Sequence, residues 1–411
     1  DYPAAYVRWT EKRNMDAFQQ LVHSGTINID YLTTHEVSLD QATKAYDMIV
    51  NRSELFLGIV IRYDTDKPVE RMRVKIRPAQ PAATIGIAFI GAGNYAQGNL
   101  LPNLPKDDPE VVRRGVMTGG GTTSKRVAER FGFEFCTSNE EDIFENENVN
   151  TVFIATRHDS HGAYVQKALR AGKHVFVEKP LLLKFEELEA IREWYESNGK
   201  ANVPALMVGF NRRFAPLART LKRMLGNNPM SMIYRVNAGS IPTDHWIHDS
   251  TIGGKRIIGE ACHFIDFMTF LCDAIPVRVY ASSLPDPQNL NDTVSIHMEF
   301  ADGSIGTVCY FANGSKALDK EYIEVYQSGL TGIIHDFREL TLYGKGKPHR
   351  KKLFSQDKGQ AAMIKTFISG LKNGNDAPIS FEELYAVSLA TFAAEKSLIE
   401  QLPVAIRTEM C

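Results

Sequence analysis

The chain has 411 residues, 44% of them apolar and 23% charged, with 47 basic side chains against 49 acidic ones and a net charge of -2. That length predicts two or three domains, and the apolar fraction is enough for several cores. The charge balance argues against a nucleic-acid partner, which needs clustered Lys and Arg, and no apolar run reaches the roughly 18–20 residues of a membrane helix.

Within this even background the densest basic run, Lys345 to Lys352, is flanked by Gly and Pro and reads as a solvated loop. The five cysteines, Cys136, Cys262, Cys272, Cys309 and Cys411, are scattered, odd in number and without a C-x-x-C pair. They predict neither a disulfide framework nor a metal site, and they fit a reducing, cytoplasmic compartment. No signal peptide opens the chain. It begins at Asp1 without Met, as an excised fragment would.

The first zone, 1–64, has a helical pattern from Asn14 to Ser24, with Met15, Phe18, Leu21 and Val22 at spacings of three and four. A second helical pattern runs from Leu39 to Val50, and Phe56 to Ile61 reads as a strand. Residues 65–83 read as an extended linker, since Lys67-Pro68, Arg77-Pro78 and Gln80-Pro81 disfavour helix.

From 84 to 208 short apolar strands alternate with helical patterns. The strands are Ile85 to Ile90, Val111 to Met117, Thr151 to Ala155, His174 to Val177 and Ala205 to Val208; helices include Ser160 to Arg170 and Phe185 to Ser197. Such alternation predicts an α/β fold with a parallel sheet covered on both faces. From 209 to 411 the pattern changes to α+β with a mostly antiparallel open sheet. A helix covers Ile258 to Leu271, and strands cover Val277 to Ser282, Thr293 to Phe300, Ser304 to Phe311 and Tyr322 to Gln327. Asp302-Gly303 reads as a hairpin turn, and helices over Ala361 to Leu371 and Phe381 to Leu398 end the zone. One sheet face lacks obvious helical cover, which predicts a homo-oligomer.

The chemistry sits at strand ends. Gly91-Ala92-Gly93-Asn94-Tyr95-Ala96 follows an apolar strand and opens a helix, the context a dinucleotide motif requires. Gly91 permits the tight turn, Gly93 the approach of a pyrophosphate, and Ala96 close helix packing. Asn94 and Tyr95 begin the helix whose free N–H groups face the phosphates. An NAD-preferring fold places an acid about 20 residues further on. Here the second strand ends in Met117-Thr118-Gly119-Gly120-Gly121 without one, and Ser124, Lys125 and Arg126 follow. NAD and NADP both stay open, with NADP favoured. Thr156-Arg157-His158-Asp159-Ser160-His161 and Glu178-Lys179-Pro180 also end strands, where ligands of such sheets bind.

Residues 84–400 resemble the glucose-fructose oxidoreductase/inositol dehydrogenase family. The resemblance rests on Gly91-Ala92-Gly93, on Ala171 to Pro180, on Gly209-Phe210-Asn211-Arg212-Arg213-Phe214 and on His263-Phe264-Ile265-Asp266. It implies a nicotinamide-dependent Rossmann enzyme in which Lys179 lies between nicotinamide and substrate, often with a cis bond before Pro180. The family usually carries Asp four residues before its helix histidine; here that position is Gly259, and Glu260 follows it. Glu260 and His263, three apart, share a helix face. Lys179 and His263 are then the proton acceptor and donor, while Arg212, Arg213, Trp246 and His245 line a pocket for a sugar-like substrate.

Residues 1–64 resemble something else. Val7-Arg8-Trp9-Thr10, Tyr31-Leu32-Thr33-Thr34-His35 and Ala45-Tyr46-Asp47-Met48-Ile49 are similar to the C-terminal end of zinc-type medium-chain alcohol dehydrogenases. This implies the rear part of a bi-domain oxidoreductase, with His35 structural. The functional expectation is hydride transfer between nicotinamide and a sugar, sugar derivative or nucleotide sugar. The alternatives are a glycosidase using transient oxidation and a dinucleotide-binding sensor.

Overall fold

The structure, a computed structural model, describes residues 10–65, 73–78, 80, 84–199, 203–286, 290–374 and 377–406. Val7, Arg8, Trp9, Lys67-Pro68, Pro81 and Cys411 lie outside them. The chain divides into two units, 1–70 and 71–411.

In the first unit helix α1 (Glu11–His23) starts where the Thr10 hydroxyl accepts from the Arg13 N–H at 3.2 Å. Strand β1 (Thr33–Ser38), helix α2 (Ala42–Asn51) and strand β2 (Gly58–Arg62) follow, and the two strands pair in parallel. The apolar stripe that makes α1 helical is not covered: Met15 is 64% exposed and Phe18 49%. Among the described residues of this unit only Ala45 is buried. His35 holds Glu54 through Nε2 at 3.3 Å.

The second unit opens with a short strand, β3 (Val74–Lys75), inside the segment expected to be extended. The strands β4 (Ile85–Ile90), β5 (Val111–Met117), β6 (Phe135–Thr137), β7 (Thr151–Ile154), β8 (His174–Val177) and β9 (Leu206–Val208) make one sheet in the order β3-β6-β5-β4-β7-β8-β9. All neighbours are parallel except β3 and β6. Helices α3 (Gly121–Phe131), α4 (Glu141–Phe144), α5 (His161–Arg170) and α6 (Phe185–Asn198) connect the strands. Every residue of β4 is buried, which explains its unbroken apolar run: a central parallel strand meets apolar neighbours on both faces.

After α7 (Pro216–Met224) comes β10 (Ser231–Asn237), then α8 (Cys262–Cys272) and the strands β11 (Pro276–Ser283), β12 (Val294–Phe300), β13 (Ile305–Phe311), β14 (Glu321–Gln327), β15 (Leu330–His335), β16 (Glu339–Tyr343) and β17 (His349–Lys352). Helices α9 (Gln360–Lys372) and α10 (Phe381–Glu400) precede a last strand, β18 (Val404–Ala405). The nine strands lie in the order β17-β16-β15-β14-β10-β13-β12-β11-β18, antiparallel except for β10 beside β13. Alternation along β12 and β14 buries one face, against which α8 and α10 pack. The basic run expected as a loop is partly strand: His349–Lys352 pairs with β16 at the sheet edge, fully exposed. Three consecutive basic side chains suit an edge, because they discourage pairing with another chain.

Candidate active site

β4 has β5 on one side and β7 on the other, so the chain leaves the sheet in opposite directions at this point and a crevice opens at the carboxyl ends. Gly91 turns the chain there with φ +85°, and its N–H donates to the Met117 carbonyl at 2.8 Å. A Cβ on Gly91 would lie 2.5 Å from the Ala155 carbonyl oxygen, whereas one on Gly93 would meet nothing within 4 Å. The first glycine is demanded by the fold, and the second leaves clearance above the turn. Asn94 and Tyr95 are exposed at the start of the following helical turns, and Ala96 is buried against the core. An open cradle lined by backbone N–H groups fits a dinucleotide pyrophosphate.

After β5 the Thr118 hydroxyl donates to the Gly120 carbonyl at 2.7 Å, and Lys125 and Arg126 are exposed on α3. Ser124 departs from its expected place. Its side chain is buried and donates to the Gly121 carbonyl at 2.9 Å, because it falls on the inward face of α3 with Val127 and Ala128.

Glu178 and Lys179 follow β8, and the Lys179–Pro180 bond is cis. Glu178 is buried and accepts from the Lys179 N–H at 3.2 Å, and burial pushes its carboxyl up to about 7. The Lys179 ammonium donates to the Gly259 carbonyl at 2.8 Å. Gly259 itself has no room for a side chain: a Cβ would stand 2.9 Å from the Gly253 oxygen and 3.2 Å from His158 Cε1. It lies in a wide π-type turn, Ile257–Ala261, that runs into α8. The acid next to it, Glu260, faces Lys320 at 2.5 Å and Arg256 at 3.5 Å and accepts from the Tyr310 hydroxyl. Burial pushes its carboxyl up, but Lys320, Lys179 and the Tyr310 hydrogen bond together hold it well below the usual range.

His263, on the first turn of α8, is 5% exposed and packs edge-on against Phe210 at 5.8 Å. Its Nδ1 has no hydrogen-bond partner. Burial, then the charges of Arg212 and Lys179, push its pKa far below that of a free imidazole, so the ring is neutral.

Two expectations are corrected. Arg212 does not line an open pocket: it forms a two-pronged pair with Glu321, at 2.6 and 3.0 Å, inside the protein. Arg213 does the same with Asp266, at 3.1 and 2.6 Å. The short turn Asn211–Phe214 is buried throughout, so both guanidiniums need buried carboxylates to be tolerated.

The cluster after β7 is brought to the same crevice. His158 donates from Nδ1 to the Gly253 carbonyl at 2.8 Å, and burial with Lys179 nearby lowers its pKa to about 3. His161 donates from Nδ1 to the Pro180 carbonyl at 2.7 Å. The Thr156 hydroxyl accepts from Ser160 at 2.7 Å. Exposed Arg157 lies 5.7 Å above the Trp246 ring, and Trp246 meets His158 at 5.0 Å. Sequence reasoning missed Glu321, Lys320, Tyr310 and Lys358. A signal existed for Glu321: it shares the inward parity of Ile323 and Val325 in β14. Tyr310 likewise shares the inward parity of Val308 in β13, whereas Lys320 and Lys358 lie outside the strands and carry none.

Residues 85–209 match a model described as the oxidoreductase family, NAD-binding Rossmann fold, and 229–329 match the GFO/IDH/MocA C-terminal domain. The chain belongs to the Gfo/Idh/MocA oxidoreductase family. It is 25% identical to myo-inositol 2-dehydrogenase of Thermotoga maritima over 67% of this chain and 86% of that protein. It is 26% identical to levoglucosan dehydrogenase of Pseudarthrobacter phenanthrenivorans over 54% of this chain and 65% of that one. Among solved structures, levoglucosan dehydrogenase in complex with NADH and levoglucosan superposes with a TM-score of 0.68 at 21% identity, over 78% of this chain and 99% of that one. The family, its NAD-binding Rossmann domain and its oxidoreductase character are thereby established for this chain. No helix among the described residues is long and apolar enough to cross a membrane.

Proposed function

We propose that the chain is an NAD(P)-dependent dehydrogenase that oxidises a carbinol of a sugar, a sugar derivative or a nucleotide sugar. The observation that carries this reading is the Lys179 ammonium, which is held on the Gly259 carbonyl in the crevice that begins at Gly91. When bound, the nicotinamide supplies the hydride acceptor. Lys179, as the free amine, takes the hydroxyl proton and, as the ammonium, returns it in the reverse direction, and the neutral imidazole of His263 donates a hydrogen bond from its ring N–H to the same oxygen. Residues 84–208 carry the cofactor, with Thr156, Arg157, His158, His161 and Glu178 on its nicotinamide side, and 209–411 carry the substrate. The sugars named for the inositol and levoglucosan enzymes support the substrate class. Unpaired Cys136, Cys262, Cys272 and Cys309 fit a cytoplasmic enzyme.

Lys179→Ala should keep cofactor affinity, which depends on the Gly91–Gly93 turn. It should lose roughly two to four orders of magnitude in turnover, the usual contribution of general acid–base catalysis. Single-turnover hydride transfer with parallel NAD(P)H titration is the test, and near-wild-type turnover would refute the mechanism. Thr118, Lys125 and Arg126 stand where an NAD enzyme has its ribose acid, so NADPH should bind at least as well as NADH. A preference for NADH of about tenfold, or about 1.4 kcal/mol, contradicts this.

A second reading concerns residues 1–64, as the tail of a medium-chain alcohol dehydrogenase domain. The observation favouring it is a parallel strand pair whose unit buries only Ala45 among the described residues, since parallel strands are normally covered on both faces. The intact mass of the natural gene product tests it: a mass no greater than this chain's refutes it.

A further inference from the structure

Cations outnumber carboxylates around His263. Lys320 and Arg256 share Glu260, at 2.5 and 3.5 Å, and Arg212 and Lys358 share Glu321, each at 2.6 Å. The Lys179 ammonium is in direct contact with no carboxylate among the described residues; it donates to the Gly259 carbonyl and acts on Glu260 and Glu178 only from further away. Asp336 stands 4.0 Å from Lys358 but is matched by Arg338 at 3.6 Å. Counting Glu178 as ionised, five cations face three acids. Burial pushes Glu178 up to about 7, so its charge is only partly present near neutral pH.

This excess is reachable. The Arg212 and Arg256 side chains are buried, but Lys320 is 37% exposed and Lys358 17% exposed. Two buried polar atoms, Nδ1 of His263, which feels the charges of Lys179, Lys320 and Lys358, and Oε1 of Glu178, next to Lys179 in the chain, have no hydrogen-bond partner. Partnerless buried groups at a positive, partly open cluster are the mark of a ligand site. A neutral polyol needs donors and acceptors but no excess of charge. An anion is attracted by it and leaves fewer cations uncompensated.

We propose that the substrate is an anionic sugar, whose carboxylate or phosphate group pairs with Lys320 and Lys358 beside Lys179. This rests on the dehydrogenase reading and narrows it to a charged substrate, unlike inositol or levoglucosan.

The test uses NADH-loaded protein and matched pairs of probes. Glucuronate against glucose and galacturonate against galactose report on a carboxylate; glucose 6-phosphate against glucose reports on a phosphate. At least one charged probe should bind about tenfold more tightly than its neutral partner. Raising ionic strength from about 0.1 M to about 1 M, which shortens the Debye length from about 10 Å to about 3 Å, should narrow that gap. Lys320→Gln and Lys358→Gln should narrow it too, the charged partner losing more affinity than the neutral one. Equal binding within every pair overturns the proposal, as does a gap indifferent to salt, which needs no variant to fold. Binding of no probe by protein that still takes up NADH overturns it as well. The dehydrogenase reading fails separately, by loss of NADH binding, and it survives if a neutral probe is oxidised.

Discussion

Glu178 and His263 are both buried and are driven toward neutrality in opposite directions, the carboxyl to about 7 and the imidazole far down. For Glu178 the folded pKa lies above the 4.5 of the solvated group. Between those values the native chain holds the proton more tightly than the unfolded one, so the group lowers stability as pH rises through the window. Below about pH 4.5 it contributes nothing; above about pH 7 its cost is complete. Glu178→Gln should therefore match wild type in urea unfolding near pH 4.5 and become the more stable protein toward pH 8, by up to about 3 kcal/mol. A constant difference across that range would show that the carboxyl is not neutral when buried. The histidines shift the other way but are common to both proteins and cancel. In a pH–rate profile any limb near 7 should vanish in Glu178→Gln and persist in His263→Ala, because His263 does not titrate there.

The turn after β4 contains two glycines with different duties. Gly91 has positive φ and no space for a Cβ, so Gly91→Ala strains the backbone and meets Ala155; a loss of about 1–3 kcal/mol in stability is expected. Gly93 has open space, so Gly93→Val should unfold like wild type yet fail to bind NAD(P)H, since the new side chain fills the cradle. Thermal unfolding and NADH fluorescence separate the two; retained NADH affinity in Gly93→Val would place the pyrophosphate elsewhere. Strand β4 was legible to the residue, because a run without polar side chains that ends at a glycine turn admits few other readings; β5 was matched as well, although Arg113, Arg114 and Gly115 interrupt its apolar run. Strands β10, β15, β16 and β17 were not. Their alternation is interrupted by polar residues that face solvent or pair with neighbouring strands.

On one face of the nine-stranded sheet nearly all the described side chains of β10, β12, β13 and β14 stay exposed or half-buried. Register places Ile233 of β10 beside Thr307 of β13 and Glu324 of β14, and Ser231 beside Ile305 and Tyr326. Ile233, Ile305 and Tyr326 are each 40–42% exposed, and Tyr280 and Tyr343 extend the apolar character of that face. We expect this surface to join two copies of the chain, as an exposed apolar patch on a sheet calls for cover. Light scattering at micromolar concentration should give a dimer or larger, and Ile233→Lys with Ile305→Lys should shift it to monomer while leaving NADH binding intact. A wild-type monomer would refute the expectation.

Local chemistry was enough to read the α/β class, the dinucleotide turn, the Glu178-Lys179-Pro180 strand end and the helix carrying His263. Each depends on residues adjacent in the chain, and hydrophobic period and turn stereochemistry act over a few residues. Which polar groups face one another did not follow from that. Arg212 and Arg213 looked like ligands for a substrate until the fold placed Glu321 and Asp266 against them. Gly259 looked like a lost acid, but packing against Gly253 and His158 leaves no space for one and turns its carbonyl to Lys179. Lys320 and Lys358 reach the site from separate strands and loops. Charge pairing acts through space between residues that here lie 37 to 109 positions apart, and chain packing alone decides which of them meet.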